Sequence, residues 1–327
     1  MSSTAIYAKV RSMQGNLFTK EDYESLCHKP SLSALIYALQ QSEGYKDVMK
    51  EASTRLPRGA LEALLHHILY ERLEKLSRYA FAHQEFFHQV THEQTICLIH
   101  ASMVLLPLHK DLFLEKLPSD VKTFFPFDVN ALLECETMEE LSLIYQDTIY
   151  QKTIEAYLKH RDPITLELDL SKLLITTQQK IISKLPKDSQ AKVLDYLSIK
   201  TDLYHMEVIY RARFYFHYTK EQIEPYLLPF YKKCKKKQLE QLMSCKLDEY
   251  FQCCKEYGYA LDQDRQKASK RMLYEYTKKR LYMENDAYLA YLCAIHLFQN
   301  ECDNICAIIE GIRYQKDPET IMSHVIV

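Results

Sequence analysis

Five glycines in 327 residues leave this chain few places to turn sharply. Ordinary proteins carry about 7% glycine, and hairpin-rich sheets draw on it for the positive φ of their tight turns. A chain so short of glycine is confined to long helices joined by ordinary connections, so the expected fold class is all-α. The apolar spacing agrees. Ile6, Val10, Met13 and Leu17 recur on one helical face, and Ile305, Ile308, Ile309 and Ile312 fall at i, i+3, i+4 and i+7. The second stripe predicts a buried face, with Asn304, Glu310 and Arg313 on the side away from it. Helix starts are legible as well. Thr19 with Asp22 reads as a capping box, and Asp317-Pro318-Glu319 as an N-cap, a first-turn proline and an acid that the helix dipole favours.

Charge excludes some partners without naming any. Lys+Arg 42 against Asp+Glu 44 gives a net charge of −2, which implies neither a nucleic-acid footprint nor a polyacidic tail. The most apolar stretch, Ile96 to Leu108, falls short of the ~20 residues of a membrane span. It also holds His100, Ser102 and Pro107, so it reads as a buried core helix. Met1-Ser-Ser-Thr-Ala5 has no basic region followed by an apolar run, and the expectation is a cytoplasmic chain without a secretory signal. The 10 cysteines contain no Cys-x-x-Cys pair, so they are expected as free thiols, mostly behaving as small buried hydrophobes.

The order of features along the chain suggests internal repetition. Arg11 leads to Thr19-Lys20-Glu21 as Arg211 leads to Thr219-Lys220-Glu221. A second echo runs through Leu26-Cys27 to Gly44-Tyr45, through Leu133 and Cys135 to Ile149-Tyr150, and through Leu242 and Cys245 to Gly258-Tyr259. Three related units fit this spacing, which is too long for helical solenoid arrays of about 34 to 47 residues per repeat. Pro107, Pro118 and Pro126, then Pro225 and Pro229, mark helix ends. No linker is long or rich in Gly and Ser, so tightly packed lobes are expected rather than beads on a string.

Candidate chemistry is thin. His88 and His92 stand at i, i+4 within the cluster His83 to His100, a spacing that can grip zinc, but no third ligand follows, and no metal is expected. The run Lys232-Lys233-Cys234-Lys235-Lys236-Lys237 reads as a wet helix face. No glycine-rich phosphate loop and no Gly-x-Ser-x-Gly elbow occurs, so no catalytic residue and no cofactor is assigned. Tyr204, Tyr210, Tyr215, Tyr218, Tyr226 and Tyr231 crowd one region, where amphipathic rings suit either a core edge or a partner surface.

The two ends carry a resemblance. Glu301, Asn304-Ile305, Ile308-Ile309-Glu310-Gly311, Arg313 and Pro318-Glu319 resemble the close of the V-type ATPase subunit family called C in bacteria and archaea and d in eukaryotes, with Cys306 in place of that pattern's first arginine. Tyr7, Arg11 and the step Leu17-Phe18-Thr19-Lys20-Glu21-Asp22-Tyr23 resemble the family's opening. Asp202 and Tyr210-Arg211-Ala212-Arg213 resemble an internal step, with Tyr204-His205 where the family has an asparagine. The resemblance implies a funnel-shaped single body of three similar helical lobes in pseudo-threefold arrangement, here 1-115, 116-222 and 223-327. It implies a non-catalytic rotor subunit, peripheral on the cytoplasmic face of the membrane. Its partners would be the central-stalk shaft subunits and the membrane proteolipid ring of the ATPase, coupling rotation to proton or sodium transport. Tyr7, Arg11, Asp202, Arg211, Arg213, Asn304, Gly311 and Arg313 are then the family positions to examine, as structural or interface residues. A cytosolic all-helical scaffold is the competing reading.

Overall fold

The computed structural model describes residues 3–51, 58–79, 82–105, 127–135 and 137–327. Every regular element among them is helical, which makes the chain all-α. Two compact units result: Met1–Ile181 with Glu301–Val325, and Ile182–Asn300 with Ile326–Val327.

The first unit opens with α1 (Ser3–Gln14), α2 (Lys20–Cys27) and α3 (Leu32–Gln41), followed by the longer α4 (Arg58–Ser77) and α5 (Gln84–Leu105). It continues through α6 (Val129–Glu134), α7 (Met138–Ile144), α8 (Gln151–His160) and α9 (Pro163–Ile182). The second unit holds α10 (Lys187–Tyr210), α11 (Lys220–Ile223), α12 (Lys236–Leu242), α13 (Leu247–Glu256) and α14 (Arg265–Met283). Helix α15 (Ala287–Arg313) begins in the second unit and ends in the first, where α16 (Pro318–His324) follows.

Local chemistry sets these boundaries. Thr19 Oγ1 accepts from the Asp22 amide at 3.2 Å while Asp22 accepts from the Thr19 amide at 2.8 Å, closing the capping box that starts α2. The echo at Thr219 repeats it, with Gln222 in the acid's place. Asp317 caps α16 through the Thr320 amide at 2.8 Å, with Pro318 at the first position. Helix α11 stops at Ile223, and Pro225 lies in a 3-10 turn just beyond. Pro107, Pro118 and Pro126 lie outside the described residues, as do the close of the apolar stretch and the expected seam at 115/116.

In the first unit α5 to α9 share one core: Ile99 and Met103 meet Leu132, Leu141, Tyr145, Ile154 and Leu170, all at most 1% exposed. Burying one such side chain contributes roughly 1.5–3 kcal/mol. The stripe on α1 is buried at Ile6 and Val10, while Met13 is half-buried and Leu17 lies past the helix end.

Several expectations need correction. Asn304 is not on an open face; it is buried with Ile305, Ile308 and Ile309, and Ile312 is only half-buried. The reason is that α15 is packed over a wider arc than four isoleucines reveal, including Glu301 and Asn304 one turn apart. Gly311 shows how tight that packing is, since a Cβ there would sit 2.4 Å from Ile321 Cγ1 of α16. The lysine run is not a helix face either: Lys232 to Lys235 form an irregular strap, and α12 begins only at Lys236. The tyrosine-rich region splits, with Tyr210 buried and Tyr215 at 61% exposure.

Candidate functional site

Three pairs of short helices, α2–α3, α6–α7 and α12–α13, share a register. The second helix of each starts after Ser31, Thr137 and Lys246 in turn. Ser31 Oγ takes the Ala34 amide at 3.2 Å, and Thr137 and Glu140 form a full capping box. Lys246 offers no side-chain acceptor, so only Glu249 closes back, onto its amide at 3.1 Å. Four residues past these caps stand Leu35, Leu141 and Tyr250, and eight past them Leu39, Tyr145 and Cys254, all at 0% exposure. The chain then turns and delivers Tyr45, Tyr150 and Tyr259, each at most 2% exposed.

Each of these tyrosines ends on a polar group of a long helix. In the first unit Tyr45 donates to Glu301 Oε1 on α15 at 2.6 Å. The same carboxylate takes Arg72 Nη1 from α4 at 2.8 Å and the Phe18 amide at 2.7 Å. The Phe18 ring stacks on Tyr45 at 5.2 Å, and the Arg72 guanidinium also lies 5.2 Å from the Tyr45 ring centre. Burial opposes the charge on Arg72, but the hydrogen-bonded carboxylate of Glu301 holds its pKa up. Tyr150, also in the first unit, lies 2.7 Å from His92 Nδ1 on α5. The His92 ring is thus held by Tyr150 through Nδ1, and burial depresses the His92 pKa; His88 is exposed.

In the second unit Tyr259 donates to Asp202 Oδ2 on α10 at 2.6 Å. Asp202 is 0% exposed and also accepts three successive amides of the strap, those of Lys232 at 3.1 Å, Lys233 at 2.7 Å and Cys234 at 3.1 Å. His205, one turn along α10, accepts the Leu228 amide at Nε2 at 2.9 Å, so its proton resides on Nδ1. Burial pulls its pKa down to about 4. The Lys232 ammonium turns elsewhere, to Asp195, where it meets Arg280 and the Tyr276 hydroxyl. Gly258, just before Tyr259, has φ +85°, a turn that a side chain would strain.

Chemically these are fasteners. Both oxygens of Glu301 and both of Asp202 accept from donors, and burial raises the pKa of all three tyrosines, which keeps them as donors. Among the described residues no group of three or more His, Cys, Asp and Glu stands together to hold a metal.

The eight family positions are not gathered at one place. Tyr7, Arg11, Asn304, Gly311 and Arg313 belong to the first unit, and Asp202, Arg211 and Arg213 to the second. Only Asp202 lies in a latch. Arg11 bonds Gln14 Oε1 at 3.0 Å on its own helix. Arg213 donates to the Leu242 carbonyl at 2.7 Å, and Arg211 is exposed. Residue order showed the three tyrosines through their echo, but not the strap amides that close on Asp202, nor Arg72 and its meeting with Glu301. Backbone donors leave no residue signature, and Glu301 and Arg72 are far apart in sequence.

No helix among the described residues is long and apolar enough to cross a membrane. No curated protein matches the chain. One family model, that of the ATP synthase (C/AC39) subunit, matches residues 6–324, almost the full length and both ends that carry the resemblance. The match joins the two ends across the whole helical body, and the chain belongs to the C/AC39 family of V-type ATPase subunits.

Proposed function

We propose that this protein is a rotor subunit of a V-type ATPase, joining the central-stalk shaft to the membrane proteolipid ring. The observation that carries this reading is the family match over residues 6–324. The work expected of such a rotor part is mechanical: a helical body packed like an organic crystal deforms little, so torque received at the shaft is passed on. The three capped helices with their buried tyrosines support the finer part of the proposal, a body of three lobes, 1-115, 116-222 and 223-327, in pseudo-threefold arrangement and funnel-shaped. The pairing order supports closure as well. Tyr150 and Tyr259 each reach back to the long helix that precedes them, and Tyr45, with none before it, reaches α15 near the other end of the chain.

The test is a complex assembled without this chain. Its headpiece should keep hydrolysing ATP, because the proposed rotor part supplies no catalytic group, while ion transport stops. Ion pumping at the normal ratio of ions to ATP, in complexes verified to lack this chain, would overturn the reading.

A further inference from the structure

The second unit concentrates positive charge that the latches do not use. Helix α14 holds seven lysines and arginines against one acid, Glu275, in 19 residues, on a chain of net charge −2. Its inward stripe is Leu273, Thr277 and Leu281. Arg265 pairs with Glu207, and Arg280 with Asp195 and Glu284. Arg271, Lys278 and Lys279 remain exposed on the outer face, where Glu275 offsets one charge. The strap meets this helix at Asp195, which Lys232 and Arg280 both bond. From there the chain runs into Lys235, Lys236 and Lys237, all exposed. None of these six outward cations forms an ion pair among the described residues. Helix α14 then ends in Tyr282 at 78% exposure and Met283 at 66%.

The make-up of this face selects among polyanions. Five of the six cations are lysines, the strongly hydrated point charges that are depleted in protein–protein interfaces, where the planar fork of arginine is preferred. Lysines in number suit a diffuse layer of phosphate headgroups instead. An exposed tyrosine and methionine at the helix end suit the headgroup boundary, where a ring can bury its body and keep its hydroxyl wet. The anchored backbone adds to this, since Asp202 already fixes the amides from which the lysine run starts.

We propose that this face of the second unit docks on an anionic phospholipid surface, with Lys235 to Lys237, Arg271, Lys278 and Lys279 over the headgroups and Tyr282 and Met283 at the boundary. The proposal does not rest on the rotor reading, and the isolated full chain tests it. In flotation assays the chain should rise with vesicles of phosphatidylcholine and phosphatidylserine at low salt, and stay behind with phosphatidylcholine alone. Replacing Lys236, Lys237 and Lys279 together by Gln should weaken binding about 100-fold, with an unchanged circular dichroism spectrum because all three are exposed. Tyr282→Ser with Met283→Ser should reduce the residual binding that survives at high salt. Equal flotation with both vesicle types, no flotation at all, or a triple variant that binds like the native chain would each overturn the proposal. So would polyglutamate bound as tightly as the anionic vesicles and equally sensitive to the three substitutions, an outcome that would mark a site for an acidic protein.

Discussion

Glu301 in the first unit and Asp202 in the second are both buried carboxylates fastened by a tyrosine, yet their charges are compensated in opposite ways. Glu301 faces a cation, the Arg72 guanidinium at 2.8 Å, with one amide in support. Among the described residues Asp202 bonds no cation; three consecutive amides converge on it, and the nearby Lys232 ammonium is used by Asp195 instead. An isolated charge in a protein interior is very costly, so both solutions are obligatory, but they fail differently. Removing the charge of Glu301 leaves a buried guanidinium uncompensated. Removing the charge of Asp202 leaves only neutral donors, which lose a bond without acquiring a stranded ion.

The largest expected effect follows from that asymmetry. Glu301→Gln should destabilise the protein by about 3–5 kcal/mol, measured by chemical denaturation, a large share of the ~5–15 kcal/mol that holds a typical domain together. A loss smaller than that of Asp202→Asn would break the comparison.

Acid provides the next test, and it acts on the second unit's latch. His205 accepts the Leu228 amide only while neutral, and its folded pKa of about 4 lies below the ordinary value near 6.5. The unfolded chain therefore binds the proton more readily over that interval. The contribution is complete above pH ~6.5 and is lost as pH falls through ~4, by up to about 3 kcal/mol. Denaturation midpoints collected across this window should slope for the native protein, and His205→Gln, which keeps an acceptor, should flatten that slope.

Asp202→Asn should cost about 1–3 kcal/mol. The retained oxygen can still serve Tyr259, Lys233 and Cys234, while the new amide group confronts the Lys232 N–H donor to donor. Amide hydrogen exchange sharpens this: Lys232 should lose protection before Lys233 or Cys234. Uniform loss across the three would mean that the strap comes away as a whole.

The tyrosine hydroxyls close the series, with the smallest effect of all at Tyr150. Tyr45→Phe and Tyr259→Phe each remove a bond to a carboxylate, worth about 1.5–3 kcal/mol, whereas Tyr150→Phe removes a neutral bond to His92, worth about 0.5–1.5 kcal/mol. Matching losses at all three positions would show that the partner's charge has no influence on the latch.

Local rules carried far along this chain. The scarcity of glycine, the capping residues Thr19, Thr219 and Asp317, and the isoleucine stripe of α15 act within a turn or two of backbone, and for that reason the all-α class and several helix starts were legible from residue order alone. The echo of Tyr45, Tyr150 and Tyr259 was legible too, as a period. What these tyrosines do was not. Asn304 read as an outward residue because polarity is a poor guide on a helix packed over a wide arc, and the lysine run read as a wet helix because its composition hides the amides beneath the side chains. Sequence by itself determined the helices, their caps and the family. Only the tertiary structure decided which carboxylate meets Arg72 across 229 residues and which amides close on Asp202 across about 30, because such pairings depend on the path of the whole chain and three of Asp202's four donors are backbone groups that every residue type except proline supplies.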